Sequence, residues 1–300
     1  MNIVEALNDK FGISGALNFS INDSGLRVVE IHNQQASATI SLQGAHLMSW
    51  QPHNEDPVIW VSPSAKFGLG KSIRGGTPIC WPWFGDHNSR ADYPAHGFVR
   101  TQLWNVVDSS ILEGGETQIT FEFDANDTSK IYWPYATSLR YIITIGKTLQ
   151  LELHTINNSA KEIEISEALH TYFSVSDIHN ISIDGLNKCD YLDKTDGFKR
   201  KNQTGPIRFT GEVDRIYLDT ESNCLLIDPG MGRKIRIEKS GSLSTVVWNP
   251  WAEKSQRMDD MNDDSYLHMV CIESANAANN KIKLAPGTEH SLRVSYTLEA

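Results

Sequence analysis

Thr117-Gln118-Ile119-Thr120-Phe121-Glu122-Phe123 alternates apolar and polar residues without a break, and the fold follows from how often that pattern recurs along the chain. Successive side chains of a strand point to opposite faces. A period of two therefore puts Ile119, Phe121 and Phe123 on one face and Gln118, Thr120 and Glu122 on the other. Leu149-Gln150-Leu151-Glu152-Leu153, Lys234-Ile235-Arg236-Ile237-Glu238 and residues 291–298 repeat the alternation. Strand-like runs also cover residues 26–31, 38–42, 138–145, 243–248 and 268–273. Turn formers separate them, among them Asn22-Asp23-Ser24-Gly25, Glu113-Gly114-Gly115, Asp228-Pro229-Gly230 and Pro286-Gly287. Residues 3–11, with Ile3, Val4, Leu7 and Phe11, carry helical spacing instead. Many short strands with no strand–helix alternation predict an all-β chain, a large antiparallel β-sandwich with a few short helices. The pattern excludes a TIM barrel or a doubly wound sheet. No linker, low-complexity tract, charge block or internal repeat divides the sequence, so residues 1–300 are expected to form a single domain.

The 300 residues carry a net charge of -10. An acidic chain is a poor binder of nucleic acid or of an acidic membrane, and neither is expected as a partner. Cys80, Cys189, Cys224 and Cys271 form no CxxC pair and no zinc-spaced cluster, so no metal site is expected. Free thiols suit a reducing compartment. The first ten residues have neither a basic start nor an apolar core, and no run of about 18 apolar residues occurs. A cytoplasmic protein is expected. No coiled-coil seam or amphipathic interface helix stands out, which makes a monomer the default.

The long loops between residues 51 and 98 hold the densest chemistry. Lys71-Ser72-Ile73-Arg74-Gly75-Gly76-Thr77-Pro78-Ile79-Cys80-Trp81-Pro82-Trp83-Phe84-Gly85, followed by Ala95-His96-Gly97-Phe98-Val99-Arg100, combines cations, glycines and rigid rings. Arginine grips phosphate in a fork, glycine admits close backbone approach, and aromatic faces suit a sugar. Residues 65–72 approach a phosphate-binding loop, but Ala65 replaces its first glycine. Gly75, Gly76 and Pro78 also prevent the helix such a loop must open. Arg74 and Arg100 could clamp a phosphate or lie solvated on the surface, and Lys71 could assist them. His170, in the run 163–173, shares a strand face with Glu164, Ser166, Ala168 and Tyr172, opposite Ile163, Ile165, Leu169 and Phe173. It is either a proton-transfer group in a polar cleft or a structural histidine. Glu273 ends the apolar run 269–272, which reads as a strand buried on both faces. Burial would raise its pKa and suit it to act as a base, unless a structural ion pair neutralises it. Asp214-Arg215 interrupts another apolar run and reads by default as a cross-strand salt bridge. Trp248-Asn249-Pro250-Trp251 marks a strand leaving into a loop, its rings placed to close the end of the core.

These blocks, in this order, resemble the aldose 1-epimerase (mutarotase) superfamily, and most closely its glucose-6-phosphate 1-epimerase branch. The similarity extends through Gln43-Gly44-Ala45-His46-Leu47, Glu167-Ala168-Leu169-His170-Thr171-Tyr172-Phe173, Tyr191-Leu192-Asp193-Lys194, Val213-Asp214-Arg215-Ile216-Tyr217 and Ile272-Glu273-Ser274-Ala275-Asn276. The resemblance implies a galactose mutarotase-like supersandwich with a sugar cleft and no cofactor. It implies an isomerase that interconverts the anomers of a hexose 6-phosphate. His170 would be the catalytic acid and Glu273 the base, Arg74 and Arg100 would contact the sugar phosphate, Asp214 would bind sugar hydroxyls, and His96 would be a further cleft histidine. Ala95 stands where some members carry glutamine. Other readings remain open at this point: a sugar-phosphate sensor without turnover, a mutarotase for neutral aldoses, or a glycosidase with two carboxylates.

Overall fold

The computed structural model describes residues 2–124 and 129–299. Residues 117–123 form the strand Thr117–Asp124, the seventh of eight in an antiparallel sheet. That sheet, the core sheet, runs in the order Ser182–Asp184, Cys224–Asp228, Arg233–Ser240, Glu289–Glu299, Thr148–Asn157, Thr137–Ile145, Thr117–Asp124 and Asn105–Ile111. A second eight-stranded sheet, the cleft sheet, runs Lys199–Asn202, Asp190–Asp193, Val213–Tyr217, Ser244–Asn249, Met269–Asn276, Glu167–Leu169 and Ile79–Cys80. Its eighth strand, Tyr172–Ser174, also pairs with Met269–Asn276. Leu17–Ile21, Arg27–His32, Ala36–Ser41 and His46–Pro52 form a four-stranded meander. The all-β reading holds, and the predicted helix is Ile3–Phe11. Asn2 caps it by accepting from the Val4 and Glu5 amides, and Glu5 returns a bond to the Asn2 amide.

The period-two pattern decides how the layers meet. Leu169, Phe173, Val247, Val270 and Ile272 of the cleft sheet share one buried cluster with Tyr141, Leu151, Ile235, Val294 and Tyr296 of the core sheet. Phe173 meets Tyr296 edge-on at 5.1 Å between ring centres. The other face of the cleft sheet carries Ala168, Ile216, Val246 and Ala275, with Trp248 and Cys271 beside them. All eight residues of Met269–Asn276 are buried, as an apolar run flanked by two covered faces requires.

Residues 163–173 are not one strand. They break into Ile163–Ile165, Glu167–Leu169 and Tyr172–Ser174, because their backbone is shared among several partners. The amides of Ser166, His170 and Tyr172 donate to the carbonyls of Pro82, Pro78 and Gly76. The alternation survives the breaks: Ile163, Ile165, Leu169 and Phe173 face the core, and His170 faces away from it.

Candidate active site

The loop before Ile79–Cys80 is fixed by close backbone packing. Gly75 adopts φ +110°, and a Cβ there would lie 2.4 Å from Val61 Cα. The Arg74 carbonyl accepts from Ser62, and the Gly76 amide donates to Trp60. His46 is buried beneath this turn, 2.8 Å from the Gly75 carbonyl, and burial lowers its pKa to about 4. Residues 65–72 open no helix. Gln43 instead accepts from the Gly70 amide and donates to the Gly68 and Lys71 carbonyls. Lys71 is exposed and lies outside the cavity described next.

Over the outer face of the cleft sheet lies a cavity of about 240 Å³. Arg74, His96, His170, Lys194, Asp214 and Glu273 all line it, with Phe84, Val246, Trp248, Lys254 and Met258 completing the wall. His170 Nε2 lies 3.3 Å from Glu273 Oε1. The contact follows from register. Leu169 pairs with Ser274, so the next residue on one strand and the preceding one on the other meet at the end of the ladder. Glu273 is 1% exposed. Among the described residues, Glu273 Oε2 and His170 Nδ1 have no hydrogen-bond partner. Burial, with the Asp214 charge adding to it, pushes the Glu273 carboxyl well above its ordinary range. Burial, with His96, Arg100 and Arg74 adding to it, pushes His170 well below its own. Both directions favour an uncharged pair that holds one proton. Desolvation is the first cause of both shifts, and the raised Glu273 carboxyl is what burial of its strand was expected to give.

Arg74, His96 and Asp214 surround this pair. Arg74 donates to the Tyr172 hydroxyl (3.0 Å) and pairs with Asp260 (3.2 Å), and Tyr172 stacks on the His170 ring at 4.9 Å. The Arg74 Nε is buried and has no partner among the described residues. His96 has φ +65°, and Gly97 behind it has φ +73°. A Cβ on Gly97 would fall 1.8 Å from the Trp81 carbonyl, so only glycine lets the loop turn His96 into the cavity. Burial, then the Arg100 charge, lowers the His96 pKa to about 3, so the ring stays neutral. Asp214 pairs with Lys194 at 3.0 Å and lies 3.9 Å from Lys254. Burial raises its pKa against the pull of Lys194.

Arg215 points the other way, donating to Gln203 and covering the Tyr191 ring. Asp214 and Arg215 are strand neighbours on opposite faces, so the partner of Asp214 is a lysine from another element. Arg100 stands back from the cavity wall, donating to the Ala95 carbonyl at 2.9 Å. Its charge still reaches His46, His96 and His170. Lys254 and Asp260 carried no signal in the sequence. They lie in and after the short helix Trp251–Ser255, which starts at the end of the 248–251 block.

The chain and its fold are similar to known proteins. The family model described as "Aldose 1-epimerase" matches residues 27–297. A relative from Escherichia coli K12, named "Putative glucose-6-phosphate 1-epimerase", is 36% identical over 257 residues, 85% of each chain. One from Cenchrus ciliaris with the same name is 33% identical, covering 91% of this chain and 85% of its own. The crystal structure of a "putative mutarotase" from Salmonella typhimurium superposes with a TM-score of 0.89 at 31% identity, covering 96% of this chain and 95% of that one.

Proposed function

Because the chain belongs to the aldose 1-epimerase family, we propose that it interconverts the α and β anomers of a hexose 6-phosphate, glucose 6-phosphate foremost, with Glu273 and His170 moving the protons. The observation that carries the reading is the buried Glu273–His170 contact at 3.3 Å on the wall of a cavity that Arg74, Lys194 and Lys254 also line.

Ring opening needs one proton removed from the anomeric hydroxyl and one delivered to the ring oxygen. Glu273 as carboxylate takes the first and His170 as imidazolium gives the second. The ring C–O bond breaks and the open aldehyde forms. The pair is now a carboxylic acid facing the carbonyl oxygen and a neutral imidazole facing the new hydroxyl. Rotation about the bond to the carbonyl carbon presents its other face, and the two transfers reverse to close the opposite anomer. The proton count of the pair is one throughout.

The uncharged distribution that burial favours is the one the open chain meets, so the environment of the pair favours the ring-opened side of the reaction. The phosphate supplies the compensation for the cyclic side. Its negative charge opposes Arg74 and Arg100, two of the charges that hold His170 neutral. Asp214, held between Lys194 and Lys254, is placed to accept from sugar hydroxyls. Arg74 acts as the fork for phosphate, while Arg100 acts through its charge from behind His96. Cations on the wall favour a phosphate ester over a neutral aldose.

We read residues 1–300 as one catalytic unit, monomeric and cytoplasmic. The four unpaired cysteines fit a reducing compartment, and no helix among the described residues is long and apolar enough to cross a membrane.

The reading is tested with Arg74→Met. Charge-assisted hydrogen bonds contribute about 1.5–3 kcal/mol, so KM for glucose 6-phosphate should rise roughly 10- to 150-fold, with any turnover of free glucose unchanged. An unaltered KM would remove the phosphate from Arg74.

A further inference from the structure

One strand of the core sheet touches the cleft sheet at two polar points, and the two flank His170. Glu289–Glu299 runs next to Arg233–Ser240 and Thr148–Asn157, with His290, Leu292, Val294 and Tyr296 in alternation along it. Leu292, Val294 and Tyr296 are part of the main core. At one end, His290 Nε2 lies 3.1 Å from Glu167 Oε1. At the other, the Tyr296 hydroxyl and Thr171 Oγ1 are hydrogen-bonded at 2.7 Å. Glu167 and Thr171 bracket Ala168-Leu169-His170, so the segment that carries the catalytic histidine is gripped on both sides by one strand of the other layer.

The cleft-sheet side of each grip is buried, while His290 is half-buried. Glu167 and Thr171 are both 0% exposed, and so is Tyr296. A fully buried glutamate is costly unless it is paired and hydrogen-bonded. Glu167 Oε1 also accepts from Asn276 Nδ2 at 3.2 Å, while Oε2 has no partner among the described residues. Asn276 in turn donates to the Gly241 carbonyl at 2.8 Å. Glu167 is the residue paired with Asn276 in the ladder between Glu167–Leu169 and Met269–Asn276. That ladder sets the register that brings His170 to Glu273. The same two strands therefore carry the Glu273–His170 pair on the cavity face and the Glu167–Asn276 contact on the core face, three residues away along each chain. None of these core-side groups touches the cavity.

We propose that Glu167, His290 and Tyr296 are positioning residues for the epimerase reaction, with the strand Glu289–Glu299 holding His170 at its proton-transfer distance from Glu273 through two polar grips. The proposal rests on the assignment of His170 and Glu273 above. A strand held only by apolar packing can slide by fractions of an ångström at little cost. A hydroxyl–hydroxyl bond and a histidine–carboxylate contact at its two ends make that sliding costly. Small displacements matter here, because a misplacement of about 1 Å can reduce turnover on the order of 100-fold.

Tyr296→Phe removes one oxygen from a buried ring and leaves the packing volume in place. Tyr141→Phe is the control, since the Tyr141 hydroxyl is equally buried and has no partner among the described residues. Anomer exchange of glucose 6-phosphate is expected to slow about tenfold in Tyr296→Phe with KM within about twofold of wild type, and to stay at the wild-type rate in Tyr141→Phe. His290→Leu should show the same kcat loss, and His290→Gln, which keeps a donor, should recover part of it. The double variant Tyr296→Phe/His290→Gln should lose less than the product of the single losses, because both grips hold one segment. The His170 imidazole resonances should shift in Tyr296→Phe and not in Tyr141→Phe. If His290→Leu does not fold, Tyr296→Phe decides alone. A Tyr296→Phe enzyme with lowered Tm but wild-type kcat and unshifted His170 resonances would make the grips purely structural and overturn the proposal. If instead His170→Ala itself keeps wild-type exchange, it is the catalytic assignment that falls.

Discussion

Glu273→Gln is expected to cripple turnover while leaving the protein as stable as before, or more so. The side chain is 1% exposed, with Oε1 3.3 Å from His170 Nε2 and Oε2 without a partner among the described residues. Glutamine has nearly the same shape and can keep the contact to His170, so Val246, Cys271 and Trp248 around it need not repack. What the amide lacks is a basic oxygen that can take up the anomeric proton and return it. General acid–base groups contribute about 10²–10⁴-fold to rate, a barrier of roughly 3–5 kcal/mol at about 1.36 kcal/mol per decade. Stability moves the other way. Burial, then Asp214, raises the Glu273 carboxyl above its ordinary 4.5. The native state therefore retains a proton that the unfolded chain releases. Above pH 4.5 the unfolded state binds fewer protons, and stability falls as pH rises until the native pKa is passed. The amide has no such penalty, so its Tm advantage should grow from pH 4.5 upward. Exchange kinetics and thermal unfolding at about pH 5 and pH 8 measure both effects. Wild-type turnover would refute the proton-transfer role. A Tm loss larger at pH 8 than at pH 5 would refute the buried, proton-holding carboxyl.

Two further outcomes follow from the loop that presents His96. Gly97→Ala should destabilise the fold by about 1–2 kcal/mol from the left-handed backbone alone, and by more once the clash on the Trp81 carbonyl is added. Denaturant melts check this, and an unchanged midpoint would mean the loop is not pinned there. His96→Gln should flatten the acid side of the stability profile. In the wild type the native ring stays neutral down to about 3 while the unfolded ring protonates from 6.5, so stability is lost as pH falls through that window. Acid titration of the circular dichroism signal should give a lower unfolding midpoint for the variant, and an identical midpoint would contradict the burial of His96.

The layers were legible because alternation is local. Ile119, Phe121 and Phe123 lie inside the fold as their spacing requires, and the parity of residues 163–173 placed His170 off the core although the strand breaks around it. Glu273 was legible for a related reason, since an apolar run that ends in a carboxylate either buries or exposes a charge. The electrostatic setting was not legible. Lys194 and Lys254, on a 3₁₀ turn and a five-residue helix, line the cavity, and Asp260, in the loop after that helix, reaches Arg74; all three arrive through the placement of elements distant in sequence. Arg100 shows the converse. The motif places it beside His96 in sequence, but its guanidinium is turned to the Ala95 carbonyl. The proton on the Glu273–His170 pair also escaped the sequence, because its location depends on how dry both groups become together.

The central claim is that this cavity opens and recloses the ring of a hexose 6-phosphate. Magnetisation exchange between the α and β anomers of glucose 6-phosphate, recorded by NMR with and without the protein and with free glucose as control, tests it most directly. The account predicts faster exchange for the phosphate ester, abolished in His170→Ala, with free glucose exchanging near its spontaneous rate. Binding of glucose 6-phosphate with no acceleration of exchange would contradict it and leave a sugar-phosphate sensor on a mutarotase fold.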